Sequence, residues 1–495
     1  MTEYTKKVVV GGTIVFVFTV LAALFGYLTR LVIARSLTAV EYGLIYSIFA
    51  TFGLFSILQH MGMNEALEKY IAEFRVHREL KKIKTAIIFT VSFQLLTAFV
   101  LAATFWLLAP YLAEHYFRNS LAIAGIRYTA VFVFLAPIEN LFLSIFKGYQ
   151  KPFWYSIANF SRMIFIFLST IVLLQFSKTI LSPIISYILV YILSFAIYLP
   201  YFLARIFPGF TATRFEKFKP IAKKLFYFGA PVIITSFAAV VITYTDTIMI
   251  TYFKTLKDVA IYNAAIPTAG LLWFFGSSLA IVLLPLSSEI WKRRHSQVME
   301  EGIPMIYKYS TLIVIPFVIL MFVFPDLILR ILFGPEYSAG ANVLKILSVA
   351  ALFFTLGQIN MSILSGMGKP IKNAKITAIA AVFNVIGNGF LIPFIGISGA
   401  AVSTAVSFAI IGILGTFQLK KFISFKLPIF SWTKTAVCAA IFLFVVLAMK
   451  NILNFGFLPK IIISVLLGFL AYAFLIFATK TVTINDIRTI RQRIK

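Results

Sequence analysis

Four ionisable side chains lie deep inside long apolar runs of this 495-residue sequence: Arg30, Glu139, Arg162 and Asp246. Charge in such a setting is costly, and it is kept for pairing or for function. Glu139 and Arg162 fall near the middle of two consecutive runs. One reading is a structural ion pair. In the other, both belong to the substrate site: Arg162 faces a cleft and meets a pyrophosphate, because a planar guanidinium offers paired donors that match phosphate oxygens, and Glu139 lies with it. Arg30 sits in the outer third of the first run. It either reaches outer headgroups together with Arg35, or it contacts substrate and pairs with Asp246 as a gate closing the outer side. Asp246 has a rival set of partners. Asn384 and Asn388 are four apart, so both project from one helix face. Thr404 and the backbone carbonyl of Ala400 fall at comparable depth. A carboxylate, two amide oxygens, a hydroxyl and a carbonyl suit a hard cation with oxygen ligands, and sodium is the ion expected. Plain interhelical hydrogen bonding is the alternative. Lys308, near the inner end of the ninth run, is expected to snorkel.

No catalytic constellation accompanies these groups. There is no Asp-x-Asp, HExxH, GxSxG or P-loop pattern, so a transporter is expected rather than an enzyme, with no cofactor beyond a coupling Na+. The one cysteine, Cys438, forms no intramolecular disulfide, and the four histidines do not cluster.

The elements that must carry these residues follow from composition. The chain is 61% hydrophobic and 12% charged, against roughly a quarter charged in soluble domains. About fourteen spans are long enough to cross a bilayer: 10–34, 43–63, 85–109, 127–147, 153–176, 180–203, 225–253, 262–285, 305–329, 343–366, 375–397, 398–418, 433–453 and 460–479. The first exceeds a signal-peptide core and reads as a retained helix. Open sheets cannot face lipid, and no barrel alternation is present. The fold class is therefore an all-α polytopic membrane protein. The narrowest separation, "FIGISGA", offers only a Gly/Ser turn between the eleventh and twelfth spans.

With a cytoplasmic N-terminus, most of the 44 lysines and arginines fall on the cytoplasmic side. Topology thus explains the net charge of +27 without nucleic acid, and both termini are expected inside. "NEALEKYIAEFRVHRELKKIK" has an amphipathic pattern and is expected at the interface. "SIFKGYQKPF" (144–153) and "SILSGMGKPI" (362–371) share five residues at an offset of 218, each after an even-numbered span. "ARSLTAVEYGLIYSI" and "FKTLKDVAIYNAAIP" form a weaker echo, with Tyr42 and Tyr262 at an offset of 220. An even number of intervening helices makes the repeat parallel. The expected organisation is two parallel six-helix lobes plus a C-terminal helix pair. These comprise an N-lobe over 1–203, a cytoplasmic basic linker over 204–224, a C-lobe over 225–418, and helices 13–14 with a basic tail over 419–495.

"IARSLTAVEYGLIYSIFA" (33–50), "YTDTIMITYFKTLKDVAIYNAA" (244–265), "LPLSSE" (284–289), "GMGKP" (366–370) and "IPFIGISGAAVSTAVS" (392–407) together resemble polysaccharide and O-antigen flippases of the multidrug/oligosaccharidyl-lipid/polysaccharide exporter superfamily. The resemblance implies that an isoprenoid diphosphate-linked oligosaccharide is moved from the inner to the outer leaflet of the cell membrane by alternating access. A monomer is expected, with glycan assembly enzymes as its partners. The oxygen set around Asp246 is similar to the sodium site of related lipid-linked peptidoglycan-precursor flippases. There one ligand on the eleventh helix is acidic, where this chain has Asn388. A cation-coupled multidrug exporter of the same superfamily is the alternative; it would favour acidic groups in the cleft over arginines. A membrane glycosyltransferase or polymerase lacks its motif here, and a scaffold would have no use for intramembrane charge.

Overall fold

The computed structural model describes residues 3–452 and 457–481. The basic tail expected at the C-terminus lies largely outside them. Among the described residues all regular structure is helical. The helices are α1 (Glu3–Ser36), α2 (Ala39–His60), α3 (Met63–Val76), α4 (Leu80–His115), α5 (Leu121–Gly148), α6 (Pro152–Phe176), α7 (Leu181–Tyr201) and α8 (Phe218–Phe253). They continue as α9 (Leu256–Lys292), α10 (Ser296–Val323), α11 (Pro325–Leu332), α12 (Ala341–Gly366), α13 (Pro370–Ile395), α14 (Ile397–Lys420), α15 (Ile429–Ile452) and α16 (Phe457–Ala478). Thirteen described helices are long and apolar enough to cross a membrane, and α16 adds a shorter apolar stretch, Ile463–Ala478. The fourteen expected spans are thus accounted for.

Both echoed segments have a structural cause. At the end of α5, the amides of Tyr149, Gln150 and Lys151 donate to the carbonyls of Ile145, Lys147 and Phe146 at 2.9, 2.8 and 2.9 Å. At the end of α12, Met367, Gly368 and Lys369 donate to Ile363, Ser365 and Leu364 at 2.9, 3.0 and 2.9 Å. Each turn passes through a left-handed residue, Gln150 or Gly368, which closes a helix end before proline starts the next helix. The shared glycine answers a close approach. A β-carbon on Gly148 would stand 2.8 Å from the Ile71 β-carbon, and one on Gly366 would overlap Ser287 Oγ.

The second echo is a pair of capping boxes. Thr38 N–H and Oγ1–H donate to Glu41 Oε2 at 3.0 and 2.8 Å, and Glu41 N–H returns to Thr38 Oγ1 at 3.3 Å. Thr255 and Asp258 repeat this at 3.1, 2.7 and 3.2 Å. Each box satisfies two amide groups that a helix start leaves without partners. The equivalence therefore runs at an offset of 217 through Thr38/Thr255, and the tyrosines at 220 sit one helical turn out of step. Between the eleventh and twelfth spans the chain turns on a single residue: Gly396 alone separates α13 from α14 and holds φ at +64°.

The structure divides into two compact units. One takes in the chain up to Ala264 with Ile331–Tyr337 and Thr377–Ser403; the other holds Ala265–Arg330, Ser338–Ile376 and the chain from Thr404 on. In the first, α3 buries Met63, Ala66, Leu67, Tyr70, Ile71 and Phe74. That spacing is one helical stripe, and it packs on α4, α5 and α8. The amphipathic segment thus places its apolar face on protein, where each large side chain contributes about 1.5–3 kcal/mol. The segment expected as a linker is anchored as well. Lys84 is buried and donates to the carbonyls of Thr211 and Thr213 at 3.2 and 2.8 Å, with Phe215 4.6 Å away. Phe207, Ile221 and Leu225 join the α3 core. In the second unit, Leu283, Met299, Ile303, Tyr307, Ile359 and Ile363 form one core. Tyr307 there donates to Asn360, and Asn360 Nδ2 donates to the Gly412 carbonyl at 2.9 Å.

Candidate functional site

Glu139 is placed by a helix with a proline in its middle. Pro137 has no amide hydrogen, which leaves the Val133 carbonyl without its intrahelical donor. Gln59 Nε2 fills that role at 2.7 Å, tying α2 to α5. Two residues on, the Glu139 side chain is 1% exposed. Arg162 faces it from α6, with Nε 3.6 Å from Oε1 and a side chain 21% exposed. The contact is a charge pair without a hydrogen bond: neither Glu139 oxygen nor Arg162 Nε has a hydrogen-bond partner. Arg162 Nη2 donates instead to Asn159 Oδ1 at 2.8 Å, one turn back on the same helix.

Arg30 lies in the same unit. Its guanidinium sits 4.2 Å from the centre of the Tyr46 ring, a cation–π distance, and Nη1 reaches the Asn263 carbonyl at 3.5 Å. The Tyr42 hydroxyl donates to that same carbonyl at 3.3 Å. Rings lead onward from Tyr46. Phe49 is 6.1 Å away, Tyr187 is 5.2 Å beyond it, and Phe132 stands 5.4 Å from Tyr187 and stacks on Tyr191 at 5.2 Å. Tyr187 is within electrostatic range of both Arg30 and Arg162. A path of aromatic rings therefore leads from Arg30 to Tyr191, which the sequence reading did not include. Its signal was present, since Tyr42/Tyr46 and Tyr187/Tyr191 are i, i+4 pairs that share a helix face.

Asp246, on α8, is 1% exposed. The structure brings it together with Asn384 and Asn388 of α13, as expected. Oδ1 accepts from Asn384 Nδ2 at 3.2 Å and from Asn388 Nδ2 at 2.7 Å, and Oδ2 accepts from the Tyr262 hydroxyl. Asn388 Nδ2 also donates to Asn384 Oδ1 at 3.2 Å. Asn388 Oδ1 is buried without a hydrogen bond, so an oxygen ligand is available. A cation on Asp246 Oδ1 would displace two amide N–H donors, so both amides would have to turn their oxygens inward. Amide direction is assigned from the hydrogen-bond network, and such turns are compatible with one backbone. Ala400 is fully buried in the first turn of α14, and Thr404, 2% exposed, belongs to the second unit. Arg30 thus contacts Tyr46 and Asn263, while Asp246 accepts from Tyr262 and the two asparagines. Arg35 caps α11, donating to the carbonyls of Leu332 at 2.8 Å and Ile331. Lys308 lies 5.0 Å from the Tyr309 ring centre.

Residues 8–291 match the polysaccharide biosynthesis protein family, and residues 231–390 match the MatE family. Uncharacterized membrane protein MJ1068 of Methanocaldococcus jannaschii is 30% identical over 99% of both chains. The probable low-salt glycan biosynthesis flippase Agl15 of Haloferax volcanii is 28% identical over 51% of this chain and 53% of its own. Among solved structures, the lipid II flippase MurJ in an inward closed conformation aligns with a TM-score of 0.77 at 16% identity. The alignment covers 93% of this chain and 97% of that one, a likeness of fold. With its apolar helices, these relatives make the chain a multi-pass membrane protein.

Proposed function

Because the chain belongs to the polysaccharide biosynthesis protein family, we propose that it is a flippase for a lipid-linked oligosaccharide. It carries an isoprenoid diphosphate headgroup and its glycan from the inner to the outer leaflet of the cell membrane by alternating access, with both termini in the cytoplasm. One observation carries this reading. The two carboxylates Glu139 and Asp246 are sealed at 1% exposure, while the Arg162 side chain is 21% exposed. An accessible guanidinium recognises an anion. An exporter of organic cations would need an accessible carboxylate. That alternative is supported by the MatE match over 231–390 and opposed by the burial of Asp246 and Glu139. The protein acts as a transporter and not an enzyme, as a monomer beside glycan assembly enzymes. Arg162 takes the diphosphate, and Arg30 with Tyr46 takes substrate or closes the outer side. Asp246, Asn384, Asn388 and Ala400 hold the coupling sodium ion once the amides turn.

Purified protein in proteoliposomes with a fluorescent isoprenoid diphosphate oligosaccharide tests the assignment. Flipping is expected with the intact chain and is expected to be lost in Arg162→Ala and Arg30→Ala at normal expression. Efflux of an organic cation without movement of the lipid would overturn it.

A further inference from the structure

Glu139 is the group that headgroup binding leaves unexplained. It is sealed from solvent, and neither oxygen accepts a hydrogen bond. Buried polar groups are almost always hydrogen-bonded. This carboxylate is instead compensated by one charge at contact distance, the Arg162 guanidinium at 3.6 Å. The surroundings offer no replacement. α5 packs on α2, α3, α4, α6 and α7. α6 supplies Arg162. α7 supplies Tyr187, Tyr191 and Tyr198; the last two lie in electrostatic range of Glu139, and the Tyr198 hydroxyl is bonded to Ser161 Oγ at 2.6 Å. α4 carries ionisable side chains only near its ends, Lys81 to Lys84 and Tyr111 to His115. α2 begins with Glu41, Tyr42 and Tyr46 and ends in His60, whose Nδ1 is buried without a hydrogen bond. α3 carries Glu65, Glu68, Lys69, Tyr70, Glu73 and Arg75, with Glu68 held by Lys147 at 3.1 Å. Arg162 is the charged group found to act on Glu139.

An anion arriving at this site reaches Arg162 and not Glu139. A guanidinium drawn to phosphate oxygens leaves behind a buried carboxylate with no compensating charge, a state that low-dielectric surroundings disfavour strongly. Resting on the flippase reading, we propose that Glu139 is a proton-binding site governed by Arg162: ionised while the guanidinium lies beside it, and protonated once an anionic headgroup claims the guanidinium. The balance is simple. Before binding, the site holds one carboxylate and one guanidinium. After binding, it holds a neutral carboxyl whose proton came from the buffer acid in solution, leaving the buffer's conjugate base, and a guanidinium paired with the diphosphate. Release reverses both changes. Headgroup binding and proton uptake are then reciprocally linked, as any two coupled equilibria must be.

Full-length protein in nanodiscs, titrated with farnesyl diphosphate between about pH 6.5 and 8.5, tests this. Calorimetry gives the affinity, and runs in buffers of different ionisation enthalpy give proton uptake. Relative to Glu139→Gln, the intact protein is expected to weaken by up to about tenfold per pH unit as pH rises. It is also expected to take up about one proton more per ligand bound. The ratio to the Gln variant removes the diphosphate's own titration. Arg162→Lys, which keeps the charge, is expected to retain the slope, and so is Asp246→Asn. Equal pH dependence and equal proton uptake in the intact and Gln proteins would overturn the coupling and leave the flippase reading standing. No binding of the diphosphate by either protein would overturn both.

Discussion

The end of α5 and the end of α12 turn through the same three backbone hydrogen bonds, and α2 and α9 begin with the same Thr-x-x-acid box. Past those shared devices the two halves part company. Ten residues after Pro152 comes Arg162, facing a carboxylate that makes no hydrogen bond. Fourteen and eighteen residues after Pro370 come Asn384 and Asn388, facing a carboxylate that accepts from both and from Tyr262. A repeated scaffold thus sets one carboxylate against a charge without a hydrogen bond and gives the other neutral donors. The first arrangement is easily disturbed by an incoming anion. The second is met by neutral donors, and a cation there must outweigh the hydrogen bonds it displaces.

The strongest way to break this contrast is Arg162→Ala. It leaves Glu139 buried without compensation, a change worth about 3–5 kcal/mol, and it removes the proposed headgroup contact. A large drop in thermal unfolding temperature and loss of flipping are expected. The double variant Arg162→Ala with Glu139→Gln is expected to recover the temperature but not the transport. Next is Asp246→Asn, which turns a three-donor acceptor into an amide with donors of its own. A loss of about 1–3 kcal/mol is expected, and any difference between transport in sodium and potassium gradients should vanish. Asn388→Asp sharpens the contrast from the other side. A second carboxylate beside Asp246 repels the first, so unfolding temperature should fall in potassium and recover in sodium. Identical curves in the two salts would count against a cation at this position. Smallest are Thr38→Ala and Thr255→Ala. Each removes one capping box and should cost about 1 kcal/mol, with closely similar losses if the boxes are equivalent. Chemical denaturation of the two variants beside the intact protein would show it.

Much of this was legible in the chain. Hydrophobic run length located every span, because a bilayer leaves a helix no other way to satisfy its backbone. Asp246, Asn384 and Asn388 could be grouped from i, i+4 spacing and depth alone. The repeat was visible, although its true anchor was hidden. Tyr42 and Tyr262 drew attention as large residues, while the equivalence is set by Thr38 and Thr255, whose meaning lies in the acid three residues on. The aromatic path from Tyr46 to Tyr191 was missed for a different reason. In a chain with 54 phenylalanines and 22 tyrosines, no single ring stands out, and only three-dimensional order shows which of them lead from Arg30 to Tyr191. The docking of α3 and of residues 207–217 was also beyond reach. An amphipathic stripe states that a face must be covered, but not whether lipid or protein covers it. Nor could the sequence show that Asp246 meets the amide nitrogens, since an asparagine offers donor and acceptor from one side chain.

The one-residue junction at Gly396 bears on how this protein tolerates change in length. α13 and α14 meet there with no slack, so an extra residue cannot be absorbed in a loop. It would advance α14 by about 1.5 Å and rotate it by about 100° relative to α13. Ser403, whose Oγ would lie 2.7 Å from a β-carbon on Gly387, would lose that register, and Ala400 would swing away from the level of Asn388. The segment between Lys420 and Ile429, by contrast, is non-helical, and beyond the buried Ile423 and Phe425 it can lengthen without turning either neighbouring helix. Insertions and deletions should therefore be rare at Gly396 and common between α14 and α15, and an epitope tag or fluorescent insertion belongs in the latter.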